Sequence, residues 1–148
     1  MAKTIWNTAD RDEILSRFTA LKPTSAAKWG AMSASKMVRH CTLPMLSAMG
    51  EYKVAEKPTP FKNWAARKLI IYVMPWPKGG PTAPEFIVTD EGEFAGRMKD
   101  FAKTLNRFAA GGAGQKFQPH AAFGEVAGKD WGALMYKHLD HHLRQFGA

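Results

Sequence analysis

Trp131-Gly132-Ala133-Leu134-Met135-Tyr136-Lys137-His138-Leu139-Asp140-His141-His142-Leu143-Arg144-Gln145-Phe146 is a helix written around one buried seam. The seam reads Trp131, Leu134, Met135, His138, His142 and then Gln145 or Phe146, spacings of three and four that bring side chains onto one helix face. The pattern predicts a helix from about Gly128, with Asp130 in its first turn, to Phe146. Two imidazoles therefore stand at inward positions, while His141 falls on an adjacent face. Each buried neutral ring has two nitrogens that need partners, and leaving one unpaired costs roughly 1 to 3 kcal/mol. A shared metal ion would satisfy one nitrogen on each ring and leave the other N–H for a neighbouring acceptor. Histidines four apart also occur as hydrogen-bonded parts of ordinary cores, so the pair alone does not decide between the two readings.

The same periodicity recurs in three earlier segments. The first runs from Thr8, a candidate cap, to Leu21, with Ile14, Leu15, Phe18 and Leu21 on one stripe before Pro23. The second begins at Ser33 and passes through Met37, His40, Cys41 and Met45 to Gly50. Pro44 lies inside it and predicts a kink or local adjustment, because proline removes a backbone donor and crowds the preceding turn. The third spans Thr89 to Ala110, with Asp90, Glu91 and Glu93 expected in its first turn and Gly111-Gly112 closing it. Between the second and third lies a long connection, residues 51–88, with a shorter helix from Pro60 to Val73 and then Pro75, Pro77, Gly79, Gly80, Pro81 and Pro84. A connection of that length can cross a bundle, which argues against a simple up-down arrangement. Only Phe86 to Val88 has strand character. The expected fold is all-α: a four-helix bundle in one domain, residues 1–148, with a long crossover holding a short extra helix.

Composition sets the outer limits. The chain has 148 residues, 45% hydrophobic and 23% charged, enough for one core without disulfides or a structural metal. Its longest apolar run, Leu69 to Trp76, is far short of the roughly 20 residues a membrane span needs. No export signal is recognisable at the N-terminus, and a single cysteine, Cys41, rules out an intramolecular disulfide and a multi-cysteine zinc site. A cytoplasmic location is the expectation. Of the net charge of +8, residues 14–84 carry the whole excess, eleven bases against two acids. These bases are dispersed and no nucleic-acid recognition motif accompanies them. An anionic small substrate suits the charge; nucleic acid is not expected as a partner.

Two histidines rarely make a metal site, so a third ligand is needed from another helix. His40 is the best placed, three residues after Met37 and four before Pro44 on the inner stripe of the second helix, with His120 a competitor from the loop 111–127. Three neutral nitrogen ligands leave open positions for water or substrate, and zinc, nickel, iron(II) or manganese accept such a set. Cys41 is read as a small buried residue and His141 as a rim residue, with a proton-relay role as the alternative. The tryptophans Trp29, Trp64, Trp76 and Trp131 and the eight methionines are read as core.

The run His120-Ala121-Ala122-Phe123-Gly124, then Trp131-Gly132, then Tyr136 through Gly147, closely resembles a branch of the DinB-like superfamily known only as a domain of unknown function. Trp29-Gly30-Ala31-Met32-Ser33, leading to Met37 and His40-Cys41, resembles the second-helix motif of the same branch. The resemblance implies a four-helix bundle with a crossover between helices 2 and 3. It also implies a divalent metal held by one histidine of the second helix and two of the last, here His40, His138 and His142. Pro44, and Ala121 where relatives commonly have proline, depart from the pattern. Better-known relatives transfer low-molecular-weight thiols to electrophiles or use such a thiol in an isomerisation, so the resemblance implies a thiol cosubstrate and a metal-dependent thiol transferase activity, with no catalytic residue assigned. Metal-assisted hydrolysis is the alternative enzyme, with Glu51 and Glu125 as its candidate bases and no carboxylate on the metal-facing stripe. A binding module with structural histidines, in the form of a homodimer, is the non-enzymatic alternative.

Overall fold

The computed structural model describes residues 1–148. It is all-helical, with α1 at Thr8–Thr19, α2 at Ala34–Ala48, α3 at Trp64–Tyr72, α4 at Phe94–Gly111 and α5 at Gly128–Gln145. Short 3-10 turns occupy Pro60–Lys62 and Pro84–Phe86, and the only β-type pairing is an isolated bridge between His120 and Gly124. No helix is long and apolar enough to cross a membrane.

α5 runs through the interior because its buried face is apolar along its whole length, interrupted in the second half by His138, His142 and Gln145. Trp131, Leu134, Met135, Leu139 and Leu143 are buried in one continuous core with Met37, Val38, Cys41 and Met45 of α2 and Phe101, Leu105 and Phe108 of α4. Each such side chain contributes roughly 1.5 to 3 kcal/mol by leaving water. Trp6 stacks on Phe108 at 5.1 Å, and its indole N–H donates to the Gly128 carbonyl at 2.9 Å. The N-terminal segment is thereby tied across the start of α5. Cys41 is fully buried, and burial raises its thiol pKa well above the usual value, as befits a core residue.

α3 is laid along α5 and held at both ends. At the start of α5, Asp130 accepts from Lys68 Nζ at 2.7 Å and from Tyr72 Oη at 2.6 Å. Burial works to raise the Asp130 pKa, but the ammonium and the phenol outweigh it and hold the carboxyl below its usual value. Farther along, Lys137 Nζ donates to the Ile70 carbonyl at 2.6 Å and to those of Ile71 and Met74, neutralising carbonyls that the end of α3 leaves free. The chain leaving α3 is thus delivered to the middle of α5, and this places Trp76.

Several boundaries differ from those expected. The cap of α1 is Asn7, whose side chain accepts from the Asp10 N–H, and the helix stops at Thr19. α2 passes through Pro44 as one element. The extra helix splits in two because Asn63 caps a fresh start, accepting from the Ala65 and Ala66 N–H groups. α4 begins at Phe94 and not Thr89: Asp90 is drawn to Arg97 at 2.6 Å, and Glu91 to Ser33 at 2.7 Å and Lys36 at 3.1 Å. Glu91 therefore pins an extended segment to the start of α2 while Asp90 folds back onto Arg97 of α4, and neither supplies a first turn. The Phe86–Val88 stretch forms no strand; Phe86 ends a 3-10 turn. Of the four tryptophans assigned to the core only Trp131 is deep in it; Trp64 is 69% exposed, and Trp29 and Trp76 are half-buried.

Candidate metal centre

α2 and α5 bring His40, His138 and His142 together, all three buried, with one nitrogen from each lying within 4.8 Å of the others. The ring centroids are 4.6 to 5.1 Å apart, and the rings stand steeply to one another. His40 comes from the middle of α2, where the buried face carries Met37, Val38 and Cys41. His138 and His142 come from the last two turns of α5, as the four-residue spacing requires.

Hydrogen bonds fix two of the three rings. His40 Nδ1 is 2.8 Å from the Phe86 carbonyl, which only accepts, so the proton is on Nδ1 and Nε2 carries a lone pair. His142 Nδ1 is 2.7 Å from Gln145 Oε1, while Gln145 Nε2 donates to the Trp29 carbonyl at 2.8 Å, so His142 likewise keeps a free Nε2 lone pair. These are the outer acceptors that metal-binding histidines need. His138 Nε2 lies 3.1 Å from His40 Nε2, and its Nδ1 is buried with no partner. Without a cation, His138 has no good tautomer. A proton on Nε2 serves His40 but strands a bare Nδ1, and a proton on Nδ1 sets two lone pairs face to face.

A cation takes up both facing lone pairs and so removes their clash, with the His138 proton on Nδ1. Two nitrogens each about 2.0 to 2.1 Å from one ion in tetrahedral directions stand about 3.4 Å apart, close to the 3.1 Å between His40 and His138. The charge states also suit. Burial is the first cause that lowers all three pKa values, to about 3 for His142 and well below 6.5 for His138, so the rings are neutral at pH 7. The residues present therefore fit a divalent ion held by three neutral imidazoles, with no carboxylate in the group.

The other candidates lie elsewhere. His120 does not join the cluster: its Nδ1 accepts from the Ala122 and Phe123 N–H groups at 3.0 and 3.2 Å, and its ring stacks on Phe123. It organises the turn before α5. His141 is half-buried beside the cluster, 5.2 Å from His142 between ring centroids, and packs against Trp29 and Trp76. Glu51 is exposed and pairs with Arg107 of α4. Glu125 is exposed and lines a surface cavity of about 340 Å³ that contains no histidine. Neither carboxylate bonds to a histidine of the cluster. Sequence reasoning missed Phe86 and Trp76. A backbone carbonyl leaves no mark in a sequence, whereas Trp76, an isolated aromatic in a proline- and glycine-rich connection, does.

No curated protein and no solved structure gives a significant match. A family model does, over residues 4–148. On that match the chain belongs to the family described as "Protein of unknown function (DUF1569)".

Proposed function

We propose that this protein binds one divalent metal ion through His40, His138 and His142 and acts on a small anionic ligand at that centre. The observation that carries the reading is the convergence of the three rings with two of them already locked by Phe86 and Gln145. In this reading α1, α2, α4 and α5 are the four helices of a DinB-like bundle and α3 rides on its crossover. When bound, a divalent ion supplies Lewis acidity, lowering the pKa of a thiol or water placed against it. The protein's part is to hold three neutral donors in a dry site and to add no negative charge of its own. The 2+ charge then stays uncompensated and favours an anion as the additional ligand. A low-molecular-weight thiol is the first cosubstrate to assay, since its ionised form meets that demand. Hydrolysis ranks below it, because its candidate bases, Glu51 and Glu125, are exposed and make no bond to the cluster.

The test is metal content. Protein produced without a histidine tag and dialysed against metal-free buffer should retain about one equivalent of a divalent ion, and His138→Ala should retain none. Wild type that takes up no zinc, nickel, iron(II) or manganese when each is supplied overturns the reading.

A further inference from the structure

Metal binding leaves two features beside the cluster unexplained. One is Trp76. Every residue from Val73 to Thr82 is exposed except this one, whose ring packs 5.8 Å from His138 and 6.0 Å from His141 between centroids. Its indole N–H is buried and has no acceptor, and the His138 Nδ1 on the neighbouring ring is equally unpartnered. A buried donor without an acceptor costs roughly 1 to 3 kcal/mol. Both nitrogens lack a partner within the chain, and the Trp76 N–H is left to donate to an oxygen that an outside ligand brings.

The other is Lys78. Its ammonium sits 4.6 Å over the Trp29 ring and pairs with no carboxylate. Trp29 stands against His141 at 5.7 Å, and its carbonyl is held by Gln145, the same side chain that orients His142. Trp29, His141 and Trp76 therefore form a continuous aromatic rim next to the ligands, with a free cation resting on it.

We propose that Trp76, Trp29 and Lys78 are the recognition wall of the histidine centre, and that they select a small organic carboxylate with a flat apolar body. The proposal rests on the metal reading above. One carboxylate oxygen accepts from Trp76 Nε1, the Lys78 ammonium balances the charge, and the indole faces cover the apolar part. One ammonium and one indole N–H match a singly charged carboxylate; a phosphate dianion calls for more donors than this wall offers.

The experiment titrates cobalt(II)-loaded protein with benzoate, and with benzamide as the uncharged control, reading the cobalt visible spectrum and tryptophan fluorescence. Benzoate should bind at least tenfold tighter than benzamide. Trp76→Phe, which keeps a ring but removes the N–H, should weaken benzoate roughly tenfold. Lys78→Met should weaken it several-fold and flatten its salt dependence. Both variants should take up cobalt like wild type. Wild type that takes up neither cobalt nor zinc, nickel, iron(II) or manganese shows that the metal reading has failed, and the wall falls with it. Normal cobalt uptake, with benzoate unbound or bound equally by wild type and both variants, overturns the wall alone.

Discussion

The turn around His120, which is half-buried, and the cluster around His138, which is buried, put the lone pairs of their imidazoles to opposite uses. Burial lowers both pKa values, to about 4 for His120 and well below 6.5 for His138. In the turn, the Nδ1 lone pair is consumed by two backbone N–H groups. In the cluster, the lone pair of His40 Nε2 faces another ring's nitrogen at 3.1 Å. Burial and a depressed pKa thus establish only that a histidine is neutral. Whether it can ligate depends on what its lone pair meets, which is a property of the neighbouring backbone and rings.

The sharpest way to break this contrast is to delete one histidine from each place. His142→Ala should lower metal affinity by more than about 100-fold, since two ligands remain where three were. His120→Ala should leave affinity within a factor of a few and show its effect in unfolding stability, because its turn loses an acceptor for two N–H groups. Competition with a metal-sensing dye gives the first quantity and urea unfolding the second. Equal losses of affinity would erase the distinction. Gln145→Leu tests the next layer. It leaves all three ligands but takes the acceptor from His142 Nδ1, and loss of such an outer partner lowers metal affinity about 10- to 100-fold. An unchanged affinity would mean that packing alone orients His142.

The two places were not equally legible in the sequence. Periodicity located α5 and α2 and therefore the three inward histidines, because helical spacing and burial are local consequences of residue order. The start of α4 was misplaced because Asp90 and Glu91, good first-turn residues by their own chemistry, are claimed by Arg97, Ser33 and Lys36. Arg97 is close in sequence but binds Asp90 from within α4, and Ser33 and Lys36, which claim Glu91, lie more than fifty residues away, outside any window around Thr89. Trp29 and Trp76 were assigned to the core on size alone. The place of Trp76 at the rim follows from α3 being anchored by Lys68 and Lys137, and that of Trp29 from Gln145, which donates to its carbonyl, all contacts between residues sixty or more apart in the chain. The acceptors differ too: Gln145 lay on the visible seam, whereas the Phe86 carbonyl could not be seen at all.

Acid separates the regions by a further, smaller effect. Each buried histidine has a lower pKa folded than unfolded, so between the two values the unfolded chain holds the extra proton. The resulting stability is complete above pH 6.5 and is lost as pH falls towards the folded pKa. For His120, moved from 6.5 to about 4, the loss between pH 7.5 and pH 5 is about 2 kcal/mol. His142, moved to about 3, adds a similar loss in the metal-free protein, whereas bound metal opposes its protonation. Urea unfolding of chelated protein should therefore show stability falling steeply over this range. His120→Gln should remove about 2 kcal/mol of that fall. A fall of the same size in the variant would show that His120 does not contribute to it.

The finest test uses one glycine from each region. Gly30 and Gly124 both have positive φ, +78° and +66°, so alanine at either strains the backbone by about 1 kcal/mol. They differ in what a methyl group would meet. At Gly124 the nearest atom is Lys62 Cγ at 3.5 Å, an ordinary contact. At Gly30 it is Gln145 Nε2 at 2.7 Å, so the amide must move, and with it the hydrogen bond that orients His142. Gly124→Ala and Gly30→Ala should therefore both destabilise the metal-free protein in urea, Gly30→Ala by more, while only Gly30→Ala weakens metal binding, by a few-fold. That small difference isolates the coupling from the Trp29-Gly30 turn through Gln145 to the ligand. If both variants bound metal like wild type, Gln145 would have room to adjust without disturbing His142, and the Trp29-Gly30 turn would serve the rim of the site but not its ligands.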